Sequence, residues 1–395
     1  MTNIHYEVVI IGGGAAGISA AARLSKTLAP NSIAIIEPSN DHYYQPIWTL
    51  VGAGVVDKKE SRKDTAACIP KGCHWIKDYC CHIDPEKKEV TTQQQHLRYD
   101  YLIITAGLQL DWAAIKGLEG NLGENGICSN YSYQTVDSTW QTIRGFSQGT
   151  ALFTQPSTPI KCGGAPQKIM YLAEDYFSQA GLRHSIDIDF MSGMPTIFTA
   201  KAYADTLSLL CEQRAIATTF NIDLIEIEAK NKMAIFKDKT TGEISKKHYD
   251  MIHVTPPMRP MPFLKDSSVT NKDGWVDVNK NTLQHTQFDT IFSCGDCSNL
   301  PTSKTAAAVR SQVPIMVKNL LAHRDRQPLI SEYDGYTSCP LVTGYGRLIL
   351  AEFDYSLTPK ETFPFDQNKE RKSMYLLKKD ILPQLYWHGM LKGRF

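Results

Sequence analysis

The chain has 395 residues, enough for two or three domains with a large buried core. Its 42% hydrophobic and 21% charged content is ordinary for a globular protein, and a net charge of +1 provides no electrostatic footprint for nucleic acid. Ten cysteines scattered over this length exclude a small disulfide-stapled domain.

In chain order, Tyr6–Ile11 is apolar and β-branched, which predicts a strand buried on both faces. It begins so close to Met1 that no secretory leader or transit peptide is expected, and a bacterial cytosolic origin is the expectation. Glycines follow at once; Ala15 to Leu28 then has helical composition, and Ile33–Ile36 is the next strand. Tyr99 to Gly107 is another buried strand, ending in small residues. Thr150–Thr154 and Ser185–Phe190 are expected strands, with Ala165–Gln179 as the crossover helix between them. The proline-rich Pro256–Pro262 is expected to be a connection. Thr290 to Asp296 repeats the form strand, glycine, acid, and Leu350–Tyr355 is strand-like.

This alternation predicts an α/β fold of two Rossmann-like, doubly wound domains. Residues 1–112 and 281–326 form a discontinuous first domain and 113–280 the second. Residues 327–395 form a C-terminal region whose last part is an amphipathic, membrane-associating segment. There, Met374, Tyr375, Leu376, Leu377, Ile381, Leu385, Tyr386, Trp387 and Leu391 alternate with Lys369, Lys378, Lys379 and Lys392. No run of 18 apolar residues exists to span a bilayer.

Gly12, Gly14 and Gly17, with Ala15 and Ala16 between them, follow a strand and open a helix; Glu37 ends the next strand. Gly12 permits a tight turn, Gly14 lets the backbone approach a pyrophosphate, and Gly17 allows close helix–strand packing. The helix N-terminus offers free N–H groups to phosphate, and Glu37 is placed to accept from ribose hydroxyls. Thr105-Ala106-Gly107 and Cys294-Gly295-Asp296 are similar to the later dinucleotide segments of flavoprotein disulfide reductases. That likeness favours FAD and implies that Asp296 binds the ribityl chain. Lys304, just beyond, is expected near the flavin ring, where a positive charge stabilises its reduced form. The second domain's first strand instead runs into Gln155-Pro-Ser-Thr-Pro-Ile-Lys-Cys162, with no glycine fingerprint, so NAD(P)H is not the expected donor.

Four segments carry a specific resemblance: Ile160 to Leu172 around Cys162, His253 to Met258, Asn299 to Ala308, and Ser338 to Tyr345 around Cys339. They resemble sulfide:quinone oxidoreductases, best the branch that includes the mitochondrial enzyme. His42 to Gly54, including Gln45, and Glu361 to Gln367 are similar too, so the likeness covers nearly the whole chain. It implies that Cys162 and Cys339 form a redox pair beside the flavin. Hydrosulfide would attack the sulfur of Cys339 to leave a persulfide, and Cys162 would be freed as a thiolate that adds to flavin C4a. A small acceptor (a thiol, sulfite or cyanide) would take the sulfane sulfur, and a membrane quinone the electrons. Lys161 and Lys168 put positive charge near Cys162, which favours its thiolate.

Another branch of the family uses a third cysteine near the position of Cys128, 34 residues ahead of Cys162, which makes Cys128 a further candidate. Cys294 and Cys297 have C-x-x-C spacing, but no second pair accompanies them; they and Cys80-Cys81 are read as structural, and no metal site is expected. Tyr345, Phe363, Phe365 and Lys378 are candidates for the quinone site. The location expected is the cytoplasmic face of a bacterial inner membrane, with a homodimer left open. Two other readings stay open: a quinone reductase fed by NADH, and a flavin-binding persulfide carrier without turnover.

Overall fold

The computed structural model describes residues 3–394. Two parallel sheets organise it. In the first, parallel strands run in the order Cys73–Ile76, Ile33–Ile36, Asn3–Ile11, His96–Ile104, with Ile291–Ser293 along the far half of the last. An antiparallel ribbon, Cys80–Asp84 and Glu89–Thr92, extends the near half of His96–Ile104. Val8, Val9 and Ile10 are wholly enclosed, because helices cover both faces of such a sheet.

The register sets the site. Ile11 lies opposite both Ile36 and Ile104, and Ser293 opposite Ile104. Gly12, Glu37, Thr105 and Cys294 therefore leave the sheet at one level. Successive connections from the central strand run to opposite sides, and that switch point is where such sheets take ligands. The first helix spans Ala15–Leu24, four residues shorter than its composition predicts. After it the chain turns, with Lys26 donating to the Arg23 carbonyl and Leu28 to that of Leu24, ahead of Pro30.

The second sheet is wholly parallel: Ile127–Cys128, Met251–His253, Gly149–Gln155, Ile186–Ser192, Ile216–Thr219. Helix Ala165–Gln179 is the predicted crossover, residue for residue. A three-stranded antiparallel sheet follows, Ile222–Glu228, Met233–Asp238 and Ile244–His248, which the sequence pattern did not announce. Within the proline-rich connection, Met258–Arg259 pairs with Gln109–Leu110, the one stretch of two adjacent residues there that both have N–H groups to donate.

Cys339 sits on a hairpin, Thr337–Gly344 with Arg347–Phe353, laid against helix Ala165–Gln179. The tail forms Lys372–Leu376, a π-helical turn Leu377–Ile381, and Leu382–His388. It is stitched to the first domain. Tyr386 meets His42 Nε2 at 2.6 Å, and His42 Nδ1 lies 3.1 Å from the Gly13 carbonyl. Met374, Tyr375, Trp387, Met390 and Leu391 are buried, while Leu376, Ile381 and Leu385 stay 40–50% exposed. Among the described residues, no helix is long and apolar enough to cross a membrane.

Candidate active site

The sulfurs of Cys162 and Cys339, 177 positions apart in sequence, lie 3.5 Å from one another. Two local features bring them together. Cys162 has φ +60°, a left-handed conformation costing a non-glycine residue about 1–2 kcal/mol. It is held there by its N–H on the Lys304 carbonyl (2.8 Å) and by its own carbonyl, which accepts from Ala165 at the helix start (2.9 Å). Gly164 supplies the second. A Cβ there would lie 2.6 Å from the Cys339 sulfur and would collide with Leu341, so only glycine admits the hairpin. We expect Gly164→Ala to lose most sulfide-dependent flavin reduction while keeping its flavin, measured by absorbance and stopped flow.

One proton is shared unequally between the sulfurs. The thiol of Cys339 donates to Cys162 and, with Lys168 Nζ at 3.1 Å, holds the Cys162 pKa well below the ordinary thiol range. Cys339 is held well above it by the same hydrogen bond and by burial. Lys168 stays charged: burial opposes the charge, but the two sulfurs outweigh it and raise its pKa. Cys162 is thus the thiolate, the species that attacks or departs in thiol exchange. Lys161 turns away instead, donating to Gln45 Oε1 at 2.5 Å over the Trp48 ring; burial lowers it to about 8.

The crevice at the first sheet's strand ends fits FAD. A Cβ at Gly14 or Gly107 would meet nothing within 4 Å, which leaves their backbone open to a ligand. A Cβ at Gly17 would strike the Gly12 carbonyl, so the helix packs against the strand only with glycine there. Glu37 accepts from Gly13 and Ser39, both at 2.8 Å, and its pKa is nonetheless raised by burial. Asp296 is likewise raised by burial, beside Lys304 and Lys161. Lys304 Nζ donates to the Asp296 and Ser298 carbonyls (2.7 and 3.0 Å) and sits over the Trp275 ring. Its own backbone meets Lys161 in a β-bridge, joining the Asp296 side of the crevice to the cysteine loop.

The second domain's turn is filled by its own chain. Ser157 donates its N–H and hydroxyl to Asp223 at 2.7 and 2.6 Å, and a Cβ at Gly193 would collide with both residues. Neither Asp223 nor this plug is visible as a motif.

The remaining candidates separate. Lys378 Nζ reaches the Pro46 carbonyl at 2.8 Å and senses Lys168 and both sulfurs; burial, then Lys168, lowers it to about 7. Tyr345 donates to the Ala53 carbonyl at 2.8 Å, so both close on the segment that begins at Gln45. Phe363 and Phe365 stack on each other, centroids 5.4 Å apart, with Arg371 over Phe365. Cys128 is fully enclosed against Thr139 and Thr142, and burial pushes its thiol up to about 12. Cys294 and Cys297 are buried, with both thiols raised by burial.

A family model described as pyridine nucleotide-disulphide oxidoreductase matches residues 6–141. The mitochondrial sulfide:quinone oxidoreductase of Mus musculus is 49% identical over 392 residues, 98% of this chain and 87% of its own. The chain belongs to the sulfide:quinone oxidoreductase family. The mitochondrial enzyme of Dictyostelium discoideum is 46% identical over 98% of this chain and 86% of its own. The sulfide:quinone oxidoreductase structure from Aquifex aeolicus superposes with TM-score 0.80 at 19% identity, over 99% of this chain and 92% of that one, a likeness of fold. As a family member, the protein is an FAD-dependent oxidoreductase that oxidises sulfide with quinone. These relatives are mitochondrial by name, so the expected bacterial cytoplasmic face finds no support in them.

Proposed function

We propose that hydrosulfide is oxidised at Cys162 and Cys339 and that the sulfur leaves as a persulfide or another sulfane sulfur product. The single observation that carries this is the 3.5 Å approach of an activated thiolate to a protonated partner, close enough for small rotations to join them. With the pair oxidised to a disulfide, hydrosulfide attacks the Cys339 sulfur. The S–S bond breaks, its electron pair leaves on Cys162, and Cys339 keeps the new sulfur as a persulfide. Lys168 stabilises the departing charge. FAD, when bound, would take up two electrons as the Cys162–Cys339 bond re-forms once the outer sulfur has left, and would pass them on to quinone. Gly12, Gly14, Ala15, Ala16, Gly17, Glu37, Gln45, Ala106, Gly107, Asp296 and Lys304 would hold it.

A thiol, sulfite or cyanide then takes the outer sulfur from Cys339. Cys128 we assign to packing, in keeping with its enclosure. The quinone is proposed to enter between the turn bearing Lys378 and the segment from Gln45 to Ala53, with Tyr345 on one side and Phe363 and Phe365 along the route. Lys378, lowered to about 7, is suited to give a proton to the reduced ring. Anaerobic sulfide titration tests the whole reading: the flavin band should bleach, and quinone should restore it. A flavin indifferent to sulfide but bleached by NADH would favour the nicotinamide-linked alternative, against which the lack of a second glycine fingerprint after Gln155 counts.

The tail is proposed to rest on a membrane surface. Its exposed Leu376, Ile381 and Leu385 flank Lys379, the apolar and basic mixture that binds an interface. Replacing all three leucine and isoleucine side chains by serine should release the protein from anionic vesicles in a flotation assay, with flavin reduction by sulfide unchanged.

A further inference from the structure

Two side chains 344 positions apart grip the glycine turn that opens the first helix, and neither takes part in the steps above. His42 lies on the short strand Asp41–Tyr43, and Tyr386 on the tail helix Leu382–His388. His42 Nδ1 lies 3.1 Å from the Gly13 carbonyl, and His42 Nε2 lies 2.6 Å from the Tyr386 hydroxyl. A carbonyl oxygen can only accept, so the ring proton sits on Nδ1. Burial lowers the His42 pKa to about 4, which keeps the ring neutral at neutral pH and leaves Nε2 to accept from the tyrosine. Both side chains are buried, so bulk water does not compete for either bond.

The consequence falls on Gly14. No peptide bond among the described residues is cis, so the Gly13 carbonyl and the Gly14 N–H point opposite ways across one plane. With the carbonyl held by His42, the Gly14 N–H is turned away from the imidazole, and among the described residues it has no acceptor. The Gly13 N–H donates to Glu37 at 2.8 Å, and a Cβ on Gly13 would collide with the Glu37 side chain. The turn is thus held on one flank by its own domain and on the other by the tail. Glycine dihedrals are permissive, so an unanchored peptide between Gly13 and Gly14 would reorient readily. The tail grips the same helix again at its far end, where Lys26 donates to the Gly393 carbonyl and a Cβ at Gly393 would strike the Ala22 carbonyl. Trp387 and Tyr44 enclose the pair, with ring centroids 5.7 Å from His42 and 4.6 Å from Tyr386 respectively.

We propose that Tyr386 and His42 are positioning residues for FAD. The tail hydroxyl sets the imidazole, the imidazole sets the Gly13–Gly14 peptide, and the Gly14 N–H is thereby aimed at the pyrophosphate before the cofactor arrives. The tail becomes part of the flavin site through two intervening hydrogen bonds. The inference rests on FAD lying at the turn from Gly12 to Gly17 and is independent of the sulfur chemistry.

The test is release of FAD from the holoenzyme on serial dilution, followed by flavin fluorescence. Tyr386→Phe removes the hydroxyl and keeps the ring; His42→Phe removes both bonds and keeps an aromatic ring. Once the peptide is free to reorient, affinity falls by the fraction that stays competent to bind. Each variant should therefore give up FAD at a protein concentration roughly tenfold higher than native. Because the tyrosine acts through the histidine, the double variant should match His42→Phe alone. Lys26→Met loosens the same tail away from the turn and should stay within about twofold of native. Retention within about twofold of native in Tyr386→Phe would overturn the proposal. So would an equal loss in Lys26→Met, which would make the tail a general support of the fold, or additive losses in the double variant. Gly14→Val, whose side chain has open space in the protein, should lose FAD outright. If it keeps FAD, the placement of the flavin at this turn fails, a result distinct from the others.

Discussion

Cys162→Ser is expected to abolish sulfide-driven reduction of the flavin, with turnover falling at least about a thousandfold. Serine preserves the left-handed turn and the bond to the Lys304 carbonyl, so the loop should survive. What it removes is a sulfur able to close a bond with Cys339 and to leave as a stable anion at neutral pH. Dithionite should still bleach the variant's flavin, since the crevice at the other strand ends is untouched. Mass spectrometry after sulfide should find no added sulfur on Cys339. Turnover near the native rate in this variant would remove the pair from the mechanism.

Lys168→Gln should have the second largest effect, and its sign depends on pH. The ammonium lies 3.1 Å from the Cys162 sulfur and favours the charged form. Without it the Cys162 pKa rises, so the thiolate appears only at higher pH. Each unit of rise lowers the thiolate fraction about tenfold below the new pKa. We expect sulfide-dependent flavin reduction to fall roughly ten- to a hundredfold at pH 7 and to recover as the pH is raised. In the native protein the acid limb should lie lower, because the folded pKa is depressed. A pH profile of the reduction rate, native against variant, checks both the direction and the recovery. A uniform loss at every pH would mean that the lysine supports the fold and not the charge.

The first domain was legible because its signals are local. Gly12 to Gly17, Glu37 and Gly295-Asp296 each sit at a strand end, and apolar runs such as Val8–Ile11 announce those strands. The crossover helix Ala165–Gln179 was equally plain, bounded by Gly163-Gly164 and Pro166 at one end and Gly181 beyond the other. The pairing of Cys162 with Cys339 came from resemblance; no periodicity relates residues so distant. The strand bearing Cys339 escaped notice because Pro340 speaks against a strand, and it is tolerated only because this hairpin has just two strands. Asp223 and the link from His42 to Tyr386 were invisible for one reason: each acts through a partner 66 or more positions away. Lys161 and Lys168 looked alike beside Cys162, but helical geometry turns only Lys168 back over the preceding loop.

The reactive couple is built from a loop and a hairpin whose cysteines lie 177 positions apart in the polypeptide. Domains formed early in synthesis fold before later ones emerge. A ribosome-bound chain can therefore complete its flavin-type sheet core while Cys162 has no sulfur to pair with. Only when the hairpin arrives and settles against Gly164 does the Cys162 thiol gain its counterpart, so the reactive couple is a late product of folding and not a feature of either segment alone.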